Sequence, residues 1–365
     1  VNLANLRHNL RVVQRTAGVP VWAVLKADAY GHGSKAVART LERAGCAGIC
    51  VALLEEAIEL RNAGIRAPIL VVGGAYDRAT AELLHHQLTP VVHDAAQLEA
   101  LASEVRYAGV EPLGIHVKID TGMSRLGATP REVRRLGELL LQHPELRLDG
   151  LMTHFACADA GSLESVEEQL RIFDAASSEL AELGLRPRVR HAANSAACFR
   201  SDRARLDMVR PGIALFGVEP YAGLTQDLRP VMSIRSEVVA LRDIPVGQSV
   251  GYGATWSAPR PTRVATVPMG YADGLSRALS NRGAALIRGK RAPIVGVVSM
   301  DMCMLDVTDL DGVKPGDEVV VMGAQKGPLG ADSISATEIA DQLGTIPWEI
   351  LTSVSRRVPR FYREP

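Results

Sequence analysis

From residue 1 to about 217, short apolar runs alternate with amphipathic stretches. The runs near 21–26, 49–52, 68–72, 89–92, 114–120, 147–152, 188–191 and 206–210 read as strands, the first of them an apolar run bounded by a Gly-rich turn. Between most of them, apolar positions recur at helical spacing, as in 34–44, 53–63, 95–105, 130–141 and 162–183, and the opening segment follows the same pattern. Eight strands with helical crossovers predict a closed parallel (β/α)8 barrel of the TIM type rather than an open doubly wound sheet. After Gly217 the helical period fades. Short β-like runs follow at 232–241, 263–268, 284–287, 293–298, 303–307 and 318–322, separated by Asp-Gly and Pro-Gly turn signals, with one helix expected at 335–343. The expected fold is therefore α/β, with a barrel over 1–225 and a smaller, mainly antiparallel β domain over 226–365.

Composition narrows the function classes. A chain of 365 residues has room for two cores. A formal net charge of +0 favours neither nucleic acid nor an anionic membrane surface as partner. No apolar run approaches the ~20 residues of a membrane-spanning helix. The five cysteines are odd in number, and Cys46 and Cys50 have no His/Cys pair at zinc-like spacing, so no metal site is expected. Free thiols suit a reducing cytoplasm, and the residues Val1 to Leu6 carry a helical pattern rather than that of a signal peptide.

The candidate chemistry lies at strand ends. Lys26 closes the first apolar run and precedes Ala-Asp-Ala-Tyr30-Gly-His-Gly; the chain holds only six lysines. Two readings fit it: a desolvated amine used as nucleophile or base, and a strand-end lysine snorkelling to water. Other strands place Lys118 and Arg125, His154, His191 with Asn194-Ser195, and Arg210 at the same end of the barrel, where active sites form. Singly, each reads as well as a structural residue. The Asn194-Ser195 turn and the Gly212-Ile213 backbone suit a phosphate, or a plain helix cap with a turn glycine. Tyr252, between Gly251 and Gly253, is a general acid/base candidate or a packing aromatic. Walker-type and Gly-x-Gly-x-x-Gly phosphate motifs are absent.

Together these motifs resemble the alanine racemases, pyridoxal-phosphate enzymes built from a barrel and a β domain. Val-Leu-Lys26-Ala-Asp-Ala-Tyr30-Gly-His-Gly is similar to that family's cofactor-lysine signature. The likeness continues through His-Val-Lys118-Ile-Asp-Thr-Gly-Met-Ser-Arg125, Thr-His154-Phe-Ala, Asn194-Ser195, Arg210-Pro-Gly212-Ile213, Val-Gly-Tyr252-Gly, Gly-Tyr271-Ala-Asp-Gly and Ser-Met300-Asp301. The resemblance implies the cofactor pyridoxal 5′-phosphate, held by Lys26 as the internal aldimine, and alanine as substrate. It implies a homodimer with shared sites, in which Lys26 is one base and the partner copy of Tyr252 is the other. It further implies Tyr30, Ser195, Gly212 and Ile213 at the phosphate, and Arg210 at the pyridine nitrogen with His154 bonded to it. Arg125 would meet the phenolic oxygen and Met300 would line the carboxylate site. Lys118 would be a candidate for carbamylation, orienting Arg125, and Tyr271, Arg277 and Asp159 would form the substrate entrance. The implied activity supplies D-alanine for peptidoglycan.

That chemistry asks for these residue types. Racemisation removes the α-proton from one face and returns one to the other, which one base does not easily reach. An arginine at a ring nitrogen, always charged and donor-only, disfavours protonation there. Amino-acid decarboxylases that share a barrel and a β domain place a carboxylate at that nitrogen, where this chain has Arg210. A non-catalytic pyridoxal-phosphate-binding protein would share the barrel and Lys26 but not the β domain and Tyr252. One departure stands out: Arg356 occupies a position where well-known members have tyrosine, which opens the alternative of a broader small-amino-acid racemase acting, for example, on serine.

Overall fold

The computed structural model describes residues 1–74 and 80–364. It divides into two compact units, one comprising 3–29 and 33–229 and the other 1–2, 30–32 and 230–365.

The first unit is a curled parallel sheet of seven strands in the order β1 to β7: β1 (Trp22–Val24), β2 (Gly48–Val51), β3 (Ile69–Val71), β4 (Thr89–Val92), β5 (Leu113–Lys118), β6 (Leu146–Met152) and β7 (Val189–His191). Helices cross over between successive strands, among them Ser34–Arg43, Leu54–Asn62, Ala95–Ala108 and Glu164–Glu182. β2 and β3 are buried along their whole length, as a parallel strand between helices and barrel interior must be. The expected eighth strand forms only an isolated parallel bridge, Val21 with Val209. Pro211 has no N–H to donate and Leu206 is left-handed (φ 49°), so the extended run is too short for a regular strand. The segment still closes the gap. On one side Trp22 N–H donates to Val209 O (2.9 Å) and Val209 N–H to Pro20 O (3.0 Å). On the other, Asp207 N–H donates to Arg190 O (3.0 Å) and Arg210 N–H to Ala193 O (2.9 Å).

The second unit is mainly antiparallel. β9 (Ala240–Ile244), β10 (Thr262–Val267) and β13 (Cys303–Asp306) form one sheet in the order β13-β10-β9. β12 (Lys290–Pro293), β11 (Ala284–Ile287), β14 (Glu318–Gly327) and β15 (Gly330–Ile334) form another, with β8 (Ile234–Glu237) paired to β14. The expected run 232–241 is two strands, and 293–298 contributes only an isolated bridge at Ile294. β12, β15 and the helix Pro347–Thr352 add to the expected elements, alongside the helix Ala336–Leu343. Among the described residues no helix is long and apolar enough to cross a membrane, and no His/Cys/Asp/Glu group could hold a metal ion.

Candidate active site

β1 ends at Val24, earlier than the apolar run suggests, and Leu25 is buried. Lys26 lies beyond the strand with its side chain exposed, so it is not the lysine of a buried strand. The chain then makes one left-handed turn: Ala27, Asp28, Ala29 and Tyr30 all have φ of 53–54°. Left-handed helical backbone costs roughly 1–2 kcal/mol per non-glycine residue. Local bonds oppose that cost: Ala29 N–H donates to Leu25 O (2.9 Å), and Asp28 Oδ1 accepts from Ser34 N–H (2.7 Å). Partial desolvation and the nearby Arg125 charge lower the Lys26 pKa, and Glu56 raises it, leaving it net below the ordinary lysine value.

Lys118 ends β5 and is buried. Desolvation, Arg125 and Arg210 push its pKa down to about 8, against the opposing pull of Asp120. Arg125 follows on an exposed loop whose backbone is organised by one atom: Asp120 Oδ1 accepts N–H bonds from Gly122 (3.0 Å), Met123 (3.0 Å) and Ser124 (3.1 Å). Burial alone would raise the Asp120 pKa, and these bonds outweigh it. Gln169, buried on the helix Glu164–Glu182, ties this loop to the one after β6. Its Nε2 donates to Thr121 Oγ1 (2.9 Å) and His154 O (3.1 Å), and its Oε1 accepts from Ala156 N–H (3.0 Å).

Arg210 is buried, yet its side-chain hydrogen bonds reach only neutral groups. Nη2 donates to Thr153 O (2.8 Å) and Ala192 O (3.1 Å), and Nη1 to His191 Nδ1 at 2.6 Å. His154 Nδ1 lies 3.5 Å from Nη2, at the outer limit of a hydrogen bond. The tight imidazole partner is thus His191, which the motifs flag only as a strand-end residue. Because the guanidinium only donates, His191 Nδ1 accepts; its Nε2–H then donates to His116 Nδ1, 2.8 Å away. Desolvation first and Arg210 second hold His191 far below the usual histidine range; His154 is lowered to about 3 and His116 to about 4, both mainly by burial. Gly150 makes room for this pair, since a Cβ there would sit 2.5 Å from the His116 ring. His116 has a sequence signal: two residues before Lys118 on a strand, it shares that lysine's face.

Ser195 is buried at the start of the helix Ser195–Arg200, which Asn194 caps through Ala197 N–H (3.0 Å). Ser195 Oγ accepts from Gly212 N–H (2.9 Å) and Ala214 N–H (3.4 Å), which leaves its own O–H as a donor. Ile213 opens a short 3₁₀ turn, where a first N–H has no partner within the turn. Asp159 is exposed on a loop braced by Arg200, which donates to Ala158 O (2.8 Å) and Gly161 O (2.9 Å) and lies over the Tyr221 ring.

The remaining candidates belong to the second unit. Tyr30 groups with it and is buried. Tyr252 is 74% exposed in a 3₁₀ turn between Gly251 (φ 75°) and Gly253 (φ 70°), a backbone that needs those glycines. Met300, Tyr271 and Arg277 are exposed as well. Arg357 links the loops of two of them, bonding Asp273 and Asp301 at 2.7 Å each, beside the exposed Arg356.

Lys26, Lys118, Arg125 and Arg210 thus concentrate positive charge at the strand ends of the barrel, and the imidazoles beside them, with pKa values held low, add none. Such a donor set fits an anionic cofactor that carries an aldehyde for the amine of Lys26 and a ring nitrogen for the donor-only Arg210. Residues 1–220 match the alanine racemase N-terminal domain and residues 231–362 the alanine racemase C-terminal domain. The chain belongs to the alanine racemase family. An alanine racemase of Sorangium cellulosum is 61% identical, covering 100% of this chain and 98% of its own length. One from Carboxydothermus hydrogenoformans is 42% identical, covering 99% and 98%. Solved structures agree: the Clostridium difficile alanine racemase superposes with a TM-score of 0.93 at 35% identity, covering 100% of this chain and 94% of its own. The Bacillus anthracis family member, solved with bound L-Ala-P, gives 0.93 at 34% identity with the same coverage.

Proposed function

We propose that this chain interconverts L- and D-alanine with pyridoxal 5′-phosphate as cofactor and with Lys26 and Tyr252 as opposing bases. The observation that carries the reading is the strand-end site itself: a lysine of lowered pKa directly before a left-handed turn, a buried guanidinium with neutral hydrogen-bond partners only, and a surplus of positive charge that calls for an anion.

In this reading Lys26 would hold the cofactor covalently until the substrate amine takes its place and frees the lysine amine, Ser195, Gly212, Ile213 and Tyr30 would hold its phosphate, and Arg210 and Arg125 would serve its ring nitrogen and phenolic oxygen. Bound pyridoxal phosphate supplies an electron sink that makes the substrate α-proton acidic. The Lys26 amine moves the proton at Cα on one face and the Tyr252 phenol on the other. Arg210, donor-only and fixed by His191 and two carbonyls, presents N–H rather than a carboxylate to the ring and so disfavours side reactions. His154 lies beside it. Arg125 and Met300 receive the substrate carboxylate; a carbamylated Lys118 replaces a like charge next to Arg125 with an opposite one and orients it. Tyr271, Arg277 and Asp159 line the entrance. The enzyme acts as a homodimer in the cytoplasm, and its D-alanine enters peptidoglycan.

The test starts from L-alanine or D-alanine alone, with chiral product analysis. Enantiomers have equal free energy, so a racemase converges on an equal mixture from both sides. Conversion in one direction only, or none by protein loaded with the cofactor, sinks the reading. A second reading rests on the exposed Arg356: turnover of serine and other small amino acids alongside alanine, checked by the same assay across a substrate panel.

A further inference from the structure

We propose that Glu56 is the positioning residue of Lys26: its carboxylate clamps the left-handed turn after the lysine and so fixes where the amine stands. The inference rests on the reading that Lys26 carries the cofactor. Glu56 lies in the first turn of the helix Leu54–Asn62. Its Oε1 accepts the N–H of Ala27 (2.6 Å), the residue directly after Lys26. Its Oε2 accepts the N–H groups of Ala52 (2.8 Å) and Leu53 (3.1 Å), just after β2. One carboxylate therefore ties the exit of β1 to the exit of β2, across a pair of strands in parallel register. The turn it holds puts four successive non-glycine residues, Ala27 to Tyr30, in the left-handed region. Such conformations persist only when their surroundings over-determine them. Leu25 N–H also donates to Cys50 O in β2 (2.8 Å), so Lys26 is flanked by two anchors, and the Ala27 bond is the one that fixes the turn after it.

Charge adds a second effect. Lys26 is faced by Arg125 from the loop after β5, by His154 from the loop after β6, and by Glu56 from its own helix. Among these groups Glu56 is the anion, so removing its charge favours the neutral amine.

Glu56→Gln and Glu56→Asp, prepared as holoenzymes, separate the two effects. Gln keeps the size but loses the charge and one acceptor, so an NH2 group must confront backbone N–H donors. Asp keeps the charge but is too short to span both loops. The readouts are the pH midpoint of the cofactor absorbance, kcat and KM, and hydrogen exchange of the backbone amides of 25–33. In Glu56→Gln the midpoint moves to lower pH, kcat falls about tenfold while KM stays within about threefold, and exchange accelerates. In Glu56→Asp exchange accelerates and kcat falls, while the midpoint stays near that of the parent. An unchanged midpoint and kcat in Glu56→Gln overturn the proposal, whatever happens to its thermal stability. Should Glu56→Gln not fold, parental kcat and exchange in Glu56→Asp overturn it equally. If the parent protein shows no cofactor absorbance, the cofactor reading fails by itself; exchange in the variants then decides whether Glu56 clamps the turn, and parental exchange refutes it.

Discussion

At the scale of single residues, positive charges outnumber their counter-charges in the site, and Arg210 has none among its hydrogen-bond partners. Arg210 is buried among carbonyls and imidazoles, a costly placement that neutral acceptors offset only in part. Lys118 shows the same tension, with Arg125 and Arg210 near it and a pKa of about 8. In the unfolded chain a lysine titrates near 10.4. Between those values the unfolded state binds more protons than the folded one, so the Lys118 contribution to stability rises with pH across that window and is flat below it. Urea unfolding in bicarbonate-free buffer, from pH 7 to pH 10, checks this at about one-unit steps. The parent should gain stability relative to Lys118→Met as pH climbs through about 8 to 10. A constant difference between the two proteins would show that Lys118 is not titrating there.

At the scale of elements, the loops at the strand ends are cross-braced by side chains that no motif announces. Gln169 joins the loop after β5, which leads to Arg125, to the loop after β6, which carries His154. Replacing it with leucine orphans His154 O and Ala156 N–H, while Thr121 Oγ1 keeps its bond to Thr153 Oγ1 (2.7 Å). The expected loss is roughly 1–3 kcal/mol for each group left unsatisfied, read as a lower denaturant midpoint at unchanged slope, whereas Gln169→Glu should keep the Ala156 bond and recover part of that loss. A leucine variant as stable as the parent would mean that water replaces the amide. The same bracing explains what sequence could and could not yield. Strand and helix identity were legible because apolar period reports burial, and Lys118, His154 and Arg210 were legible because strand ends were. Gln169 and the Glu56–Ala27 bond were not, since they join groups far apart in sequence that the fold alone brings within reach, whereas the Asp120 bonds are local. His191 illustrates the intermediate case: its strand-end position was visible, but its 2.6 Å bond to Arg210 depends on the short eighth segment, where Leu206 and Pro211 cut the strand to a bridge.

At the scale of the whole molecule, the decisive question is whether the two proposed bases of one site belong to one chain. Lys26 stands at the mouth of the barrel unit, while Tyr252 is 74% exposed in the other unit, on a glycine-flanked turn that packing does not explain. A reactive phenol offered to solvent is poorly placed for desolvated proton transfer until another surface covers it, and a second copy of the chain is the surface that the proposed homodimer supplies. Complementation separates the possibilities. Lys26→Ala and Tyr252→Phe homodimers should each be nearly inactive. A heterodimer of the two, isolated through different tags, contains one site with both defects and one with neither if the bases come from opposite subunits. It should then recover roughly half of the parental activity per dimer, the value set by two-fold symmetry. If both bases of a site lie in one chain, each site of the heterodimer keeps one defect and no activity returns. A silent heterodimer of verified mass would therefore remove the shared site, and with it the reason for Tyr252 to face outward.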